Sequence, residues 1–253
     1  MISVIIPAWN EEKRIEKTLR SYITFFKKNF RNFEVIVVTD GSEDATSEIV
    51  ENLTKEFNCI RHIHPDEKLG KGGAIIEGFK FANGDIVGFV DADGSTPPES
   101  IALLIKSLNH YDGVIASRWI NGSVIGKKQP IERRIASRTF NLLVRILFGF
   151  SFNDTQCGAK FFKRKAIKSI INELGLTDWA FDIDLLYRLN KKNYKIKEIP
   201  VTWHYEEDSK LDLGKTSFKM FFSVIGFRIK NSPLSPITKS KIVKVIYHKV
   251  RNL

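Results

Sequence analysis

The sequence predicts an α/β fold with a mostly parallel central sheet and helices on both faces. Two observations carry this. Short Val/Ile-rich runs alternate through the first half with stretches whose apolar residues recur every three or four positions. Three of those apolar runs also end in polar or carboxylate residues, at 7–11, 39–42 and 91–95. In open parallel sheets ligands bind at the carboxyl ends of the strands, so these three segments mark the expected site.

Taken in order, residues 2–7 read as a buried strand. Residues 11–27 read as a helix with Ile15, Leu19, Tyr22, Ile23 and Phe26 on one stripe, and Asn10 suits its N-cap. Residues 34–39 form a second strand, and Ser42 suits the N-cap of a helix running through Phe57. A third strand is expected at 60–63. A glycine-rich turn at 70–73 opens a helix reaching Ala82, followed by a strand at 85–90, a helix at 97–108 and a strand at 114–117. The second half is less regular. Helices are expected at 132–148, 179–190 and 216–230, and a strand at 196–202. Residues 160–162 return to the sheet, and residues 231–236 break the last helix. One domain over 1–230 and a basic, membrane-associated tail over 231–253 are expected.

With 43% apolar and 27% charged residues, the 253-residue chain has the composition of a folded protein. A net charge of +11 points to polyanionic partners: nucleic acid, anionic lipid or phosphorylated small molecules. Cys59 and Cys157 lie far apart without partner spacing, which excludes a disulfide framework and a zinc site and suits a cytoplasmic setting. The first apolar run is too short for a signal peptide. No apolar stretch reaches the roughly 20 residues of a membrane-spanning helix.

The sharpest chemical feature is Asp91-Ala92-Asp93, directly after the apolar run at 86–90. On an extended strand, residues i and i+2 point to one side. Two carboxylates so placed repel unless a cation sits between them, and Mg²⁺ or Mn²⁺ suits all-oxygen ligands and a bridging diphosphate. Asp-x-Asp alone is a weak signal; its place at a strand tip strengthens it. Asp40-Gly41-Ser42 can hydrogen-bond a base or ribose, or simply form a turn. Trp9 can pack on a base and Glu11 can hold a ribose. Lys68 and Lys71 flank a helix start that can meet a diphosphate, although the segment matches neither the P-loop nor the dinucleotide pattern. Arg118, Arg133, Arg134 and Arg138 are phosphate candidates among what is otherwise solvated charge. Asp182 and Asp184 can be a general base or structural carboxylates. The aromatic stretches at 140–152 and 218–227 suit core helices or a membrane interface, and the basic residues of 237–253 suit an anionic leaflet.

Together these motifs resemble those of a known family. The runs at 4–11 (Val-Ile-Ile-Pro-Ala-Trp-Asn-Glu), 39–46 (Thr-Asp-Gly-Ser-Glu-Asp-Ala-Thr) and 91–93 are similar to the family 2 glycosyltransferases with the GT-A nucleotide-diphospho-sugar transferase fold. Those at 70–74, 91–96, 154–158, 179–186 and 209–211 resemble the dolichyl-phosphate β-glucosyltransferases within it. The resemblance spans roughly residues 1–230. It implies inverting transfer of glucose from UDP-glucose to dolichyl or another polyprenyl phosphate, by a peripheral protein at the cytoplasmic face of a membrane. By the same resemblance Pro7, Trp9, Glu11 and Asp40 line the nucleotide site, Asp91 and Asp93 bind the metal, and Arg118 lies near the phosphates. Arg133 and Ser137 match the arginine and serine that face the acceptor phosphate in related mannosyltransferases. Trp9 stands where the wider family often has Tyr, and Thr39 where many members have Asp. GDP-mannose or UDP-N-acetylglucosamine as donor, or a soluble glycan as acceptor, are the alternatives. Nucleic-acid binding lacks any recognised module. A non-catalytic scaffold is disfavoured by the intact Asp91 and Asp93.

Overall fold

A computed structural model describes residues 1–126, 129–175, 178, 180–206 and 213–232, without the side chains of 213–219. The described residues within Met1–Lys128 and Asn153–Glu207 form one compact unit, and those within Gln129–Phe152 and Asp208–Leu253 form a second. Expectations for Trp179, for 209–211 and for the tail beyond Ser232 fall outside the described residues.

The first unit is the α/β layer structure. Its strands and helices are β1 (Ile2–Ala8), α1 (Ile15–Asn29), β2 (Phe33–Thr39), α2 (Thr46–Glu56), β3 (Ile60–Ile63), α3 (Gly70–Phe81), β4 (Ile86–Val90), α4 (Pro98–Ser107), β5 (Gly113–Ser117) and β6 (Val124–Ile125). After the excursion through the second unit come β7 (Ala159–Lys163), α6 (Arg164–Ile170), α7 (Phe181–Lys191), β8 (Ile196–Pro200) and β9 (Thr202–Trp203). The second unit contains α5 (Ile131–Phe148) and α8 (Leu213–Lys230).

Among the described residues seven strands form one sheet in the order β3-β2-β1-β4-β7-β5-β8. The β1–β2, β1–β4, β2–β3 and β5–β8 pairs are parallel, while β7 runs antiparallel to both β4 and β5. The return of residues 160–162 to the sheet is thus realised, in reverse direction. Strand alternation sorts the core. Val4, Ile6, Val35 and Val37 share one cluster with Ile15 and Leu19 of α1, Val50 of α2 and Ile101 of α4. Ile5 and Phe89 face the other way, where Ile5 lies under Gly78 of α3 and Phe89 meets Phe79 and Phe181. Buried on both faces, the strands read as continuous apolar runs.

Two expected caps are absent, for one reason. α1 begins at Ile15 rather than Glu11, and α2 at Thr46 rather than just after Ser42. Asn10 adopts φ +55°, a left-handed conformation that Asn tolerates, and its Oδ1 accepts the Glu43 N–H at 2.8 Å. Ser42 Oγ in turn accepts the Asn10 N–H at 3.1 Å. Both side chains tie the β1 and β2 exits to each other instead of capping helices. Asp44 Oδ1 serves the start of α2, accepting the Thr46 N–H at 3.0 Å. The strand expected over 196–202 divides at Val201 into β8 of the large sheet and β9, which pairs with β6 in a separate two-stranded sheet. Pro200 has no N–H to extend the ladder, which suits a strand end.

In the second unit Phe148 stacks beside Phe150 and meets Phe227 of α8 at 5.9 Å, and Arg228 Nε donates to the Leu147 carbonyl at 2.6 Å. Gly149 closes α5 at φ +67°.

Candidate functional site

The carboxyl ends of β1, β2 and β4 converge, as the parallel order requires. Pro7 lies in β1, half-buried, and Trp9 beyond it is 44% exposed. The Lys68 ammonium lies over the Trp9 ring at 4.0 Å. The β1 and β2 exits are stitched further by Glu11 N–H to Thr46 Oγ1 at 2.7 Å and Glu12 N–H to Asp44 Oδ2 at 3.2 Å. Asp40 is buried, and its two oxygens accept the Leu69 N–H (2.5 Å) and Gly70 N–H (2.8 Å). Asp40 therefore anchors the start of α3, where Gly70 turns at φ +76°, and so fixes where Lys71 projects.

Lys71 Nζ lies 2.5 Å from Asp91 Oδ1. Burial works against the Lys71 charge, but Asp91, Asp182 and Asp93 more than offset it and hold the ammonium above its usual range. Asp93 Oδ1 accepts the Ser95 N–H at 2.8 Å. Burial and then the neighbouring Asp91 charge push the Asp93 carboxyl up, with the Ser95 hydrogen bonds opposing. Glu11 is raised too, first by burial and then by Asp93 and Asp91, although Arg14 Nη2 pairs with it at 2.6 Å. Negative charge is thus concentrated at the β4 tip beyond what Lys71 and Arg14 neutralise. That imbalance, on oxygen donors alone, fits a hard divalent cation. Among the described residues no set of three His, Cys, Asp or Glu side chains forms a ready-made cage, so a cation there would need further oxygens from substrate or water.

The wall behind Asp91 comes from residues 153–158. Asp91 N–H donates to the Gly158 carbonyl at 3.1 Å. A β-carbon on residue 158 would fall 1.8 Å from Asp91 Oδ2, so only glycine leaves room for this carboxylate. At the other end of the segment, Asp154 takes the Arg118 N–H (3.0 Å), Nε (2.7 Å) and Nη2 (2.9 Å). The Arg118 guanidinium lies over the Trp203 ring at 5.2 Å and the Trp119 ring at 5.4 Å. Burial works to raise the Asp154 carboxyl, but Arg118 prevails and holds it below the usual range. Glu198 of β8 completes the support by accepting the N–H groups of Asn153 and Asp154, each at 2.8 Å. Cys157 is buried, which pushes its thiol up to about 12 and makes it inert at neutral pH.

The two carboxylates of α7 separate into different environments. Asp184 Oδ2 accepts the Gly175 N–H at 2.7 Å, and its Oδ1 meets Arg188 Nε at 2.5 Å. Asp182 Oδ1 meets Lys160 Nζ at 2.6 Å, and that lysine is wholly buried. Both carboxylates are held by cations inside the fold. Arg133 and Ser137 lie half-buried on one face of α5, with Ser137 one turn before Asn141, which is buried and donates to the Ser137 carbonyl at 3.0 Å. They belong to the second unit, whereas Pro7, Trp9, Glu11, Asp40, Lys71, Asp91, Asp93, Arg118, Asp182 and Asp184 belong to the first. The sequence alone marks Arg118 and the run at 154–158 without pairing Arg118 with Asp154 or Gly158 with Asp91, and it assigns Lys160 no role. A lysine in an otherwise apolar strand is the one signal that marks Lys160.

Residues 3–171 match the family described as Glycosyl transferase family 2. Glycosyltransferase AglD of Haloferax volcanii is 35% identical over 216 residues, which is 84% of this chain but 34% of that protein, so the chain spans about a third of AglD. The dolichyl-phosphate beta-glucosyltransferase of Saccharomyces cerevisiae is 32% identical over 248 residues, covering 90% of this chain and 74% of that one. The human protein of the same name is 32% identical over 229 residues, covering 83% and 69%. Among solved structures, the glucosyl-3-phosphoglycerate synthase of Mycobacterium tuberculosis in complex with Mn²⁺, UDP-glucose and phosphoglyceric acid has the same fold, with a TM-score of 0.67 at 21% identity over 90% of this chain and 79% of that one. The architecture is therefore GT-A. With the family matched across most of its length, this chain belongs to glycosyl transferase family 2 and is a glycosyltransferase.

Proposed function

We propose that the protein transfers glucose from UDP-glucose to dolichyl phosphate or a similar polyprenyl phosphate, with inversion, at the cytoplasmic face of a membrane. The observation that carries this is the Asp91–Asp93 pair at the β4 tip, short of positive charge and bordered by Lys71. The relatives named as dolichyl-phosphate beta-glucosyltransferases supply the choice of sugar and acceptor.

Each residue then has a physical task. Trp9 and Pro7 flank the base, Glu11 receives ribose or base hydroxyl and amide protons, and Asp40 sets the α3 entry that faces the diphosphate. Asp91 and Asp93 hold Mg²⁺ or Mn²⁺, whose contribution when bound is to neutralise charge on the leaving diphosphate. Lys71 adds a fixed positive charge at the same oxygens, and Arg118 adds field from behind Asp91. Arg133 and Ser137 bind the acceptor phosphate. A phosphate monoester is already anionic near neutral pH and attacks without a strong general base. The engagement of Asp182 by Lys160 and of Asp184 by Arg188 agrees with that, and we assign both carboxylates supporting roles.

Membrane association is supported by α5. Ile131, Ile135, Leu142 and Ile146 are all exposed, and their spacing of four, seven and four residues places them on one helical stripe. Exposed Arg138 and Arg145 run along its edge, as at an interface with anionic headgroups. No helix among the described residues is long and apolar enough to cross a membrane.

The test is UDP release and glycolipid formation from UDP-glucose and a short-chain polyprenyl phosphate, with and without Mn²⁺, beside GDP-mannose and UDP-N-acetylglucosamine. Metal-dependent turnover with UDP-glucose is expected. No turnover with any nucleotide sugar and polyprenyl phosphate overturns the proposal, and preference for another sugar moves the donor assignment alone.

A further inference from the structure

Lys160 is an unusual residue to find in the middle of a sheet. It sits on β7 opposite Phe89 of β4, with no exposure to solvent, and its ammonium lies 5.3 Å from the centre of the Phe89 ring. Burying an ammonium costs several kcal/mol unless it is paired and hydrogen-bonded. Lys160 is both. Its Nζ donates to Asp182 Oδ1 at 2.6 Å and to the Cys157 carbonyl at 2.6 Å. Replacing a buried ion pair by apolar residues of similar volume is often neutral or stabilising, so stability alone does not account for the arrangement.

What the pair does is visible in the chain just ahead of Lys160. Its ammonium fixes the carbonyl of Cys157, and the next carbonyl, that of Gly158, receives the Asp91 N–H. The Gly158 α-carbon is the surface against which Asp91 Oδ2 rests, with no space for one further carbon. The Cys157–Gly158 peptide is therefore held from inside by an ion pair, and Gly158 meets Asp91 both at its α-carbon and through its own carbonyl, which belongs to the following peptide. Asp182 reaches the same region from α7 and acts electrostatically on Lys71, the direct partner of Asp91.

We propose that Lys160 and Asp182 are a positioning pair for Asp91: through the Cys157–Gly158 peptide they set where that carboxylate stands, and hence how well the site takes a divalent cation. Neither residue touches the cation or the substrates. This rests on the Asp91–Asp93 metal assignment above.

The experiment measures Mn²⁺ affinity directly, by the loss of the free-ion electron paramagnetic resonance signal in the presence of UDP, on the full chain. The comparison is wild type, the double variant K160M/D182L and the conservative variant K160R, with thermal melting recorded on each. The double variant removes both charges together, so no unpaired charge stays in the core, and it frees the Cys157 carbonyl from the Lys160 ammonium. It is expected to melt cooperatively and to bind Mn²⁺ about tenfold more weakly, the range seen when supports of metal ligands are removed. K160R, which keeps the charge and the donors, is expected to lose less than about threefold on the same scale. A folded double variant with Mn²⁺ affinity equal to wild type overturns the proposal. Should the double variant fail to fold, Asp182→Asn decides by itself: weakened Mn²⁺ binding supports the pair, and unchanged binding refutes it. Absence of Mn²⁺ binding in the wild type would instead remove the metal assignment, and the positioning role with it.

Discussion

Asp91 and Gly158 occupy complementary space: the carboxylate oxygen of the first stands 1.8 Å from where a β-carbon on the second would be. Gly158→Ala must therefore move Asp91 or the segment that carries residue 158. The expected result is a stability loss of about 1–3 kcal/mol, typical of overpacking, with a disproportionate fall in turnover of roughly 10²-fold, as for a misplaced catalytic group. Chemical denaturation and initial rates on the same preparation check this; an active Ala variant would show that Asp91 has latitude.

Asp91→Asn and Asp93→Asn keep shape and remove charge. Each is expected to lower turnover by about 10²–10³-fold, the scale of a lost electrostatic stabiliser, with cooperative melting retained. A near wild-type rate for either would separate that residue from the metal.

Arg118→Ala leaves Asp154 as a buried carboxylate without its cation. The expected cost is about 3–5 kcal/mol, measured by urea denaturation. The Trp203 and Trp119 rings lose their guanidinium partner in the same substitution, so tryptophan fluorescence should shift as well.

The Asp154 carboxyl gives a pH test with a defined sign. Its folded pKa lies below the ordinary 3.8, because Arg118 outweighs burial. Such a group contributes stability that is fully present above its unfolded value and is lost as pH falls through the folded one. The stability gap between wild type and Asp154→Asn should be constant near neutrality and narrow below about pH 4. A gap that widens on acidification would contradict the direction assigned here.

Ile135→Ser with Ile146→Ser removes half of the exposed stripe on α5. Binding to vesicles containing anionic lipid is expected to weaken about tenfold or more, since each large aliphatic side chain buried in lipid contributes about 1.5–3 kcal/mol. UDP affinity should hold. Equal loss of both would take α5 out of the membrane argument.

The strand tips were legible because they follow from periodicity: an apolar run that stops at Asp91 or Trp9 needs no partner to be recognised. The helix starts were misplaced because Asn10 and Ser42 bond each other's loops across about thirty residues, and a local capping rule has no view of that distance. The reversed direction of β7 leaves no mark in its composition, since a strand buried on both faces reads alike in either sense. The support behind Asp91 was hidden for the same reason. Arg118 and Asp154 are 36 positions apart, and Lys160 and Asp182 are 22 apart. Such pairs acquire meaning only when the sheet brings them together. Asp182 and Asp184 looked equivalent in sequence, and their different cations distinguish them.

The Arg118–Asp154 bridge has a consequence for how such proteins diversify. It ties together the two feet of an excursion that leaves the sheet after β5 and returns just before β7. With its base fastened, that excursion can grow, shrink or be replaced while the conformational cost rises only with the logarithm of its length. The strand tips of the seven-stranded sheet would hardly register the change, so what lies between the feet is free to be exchanged.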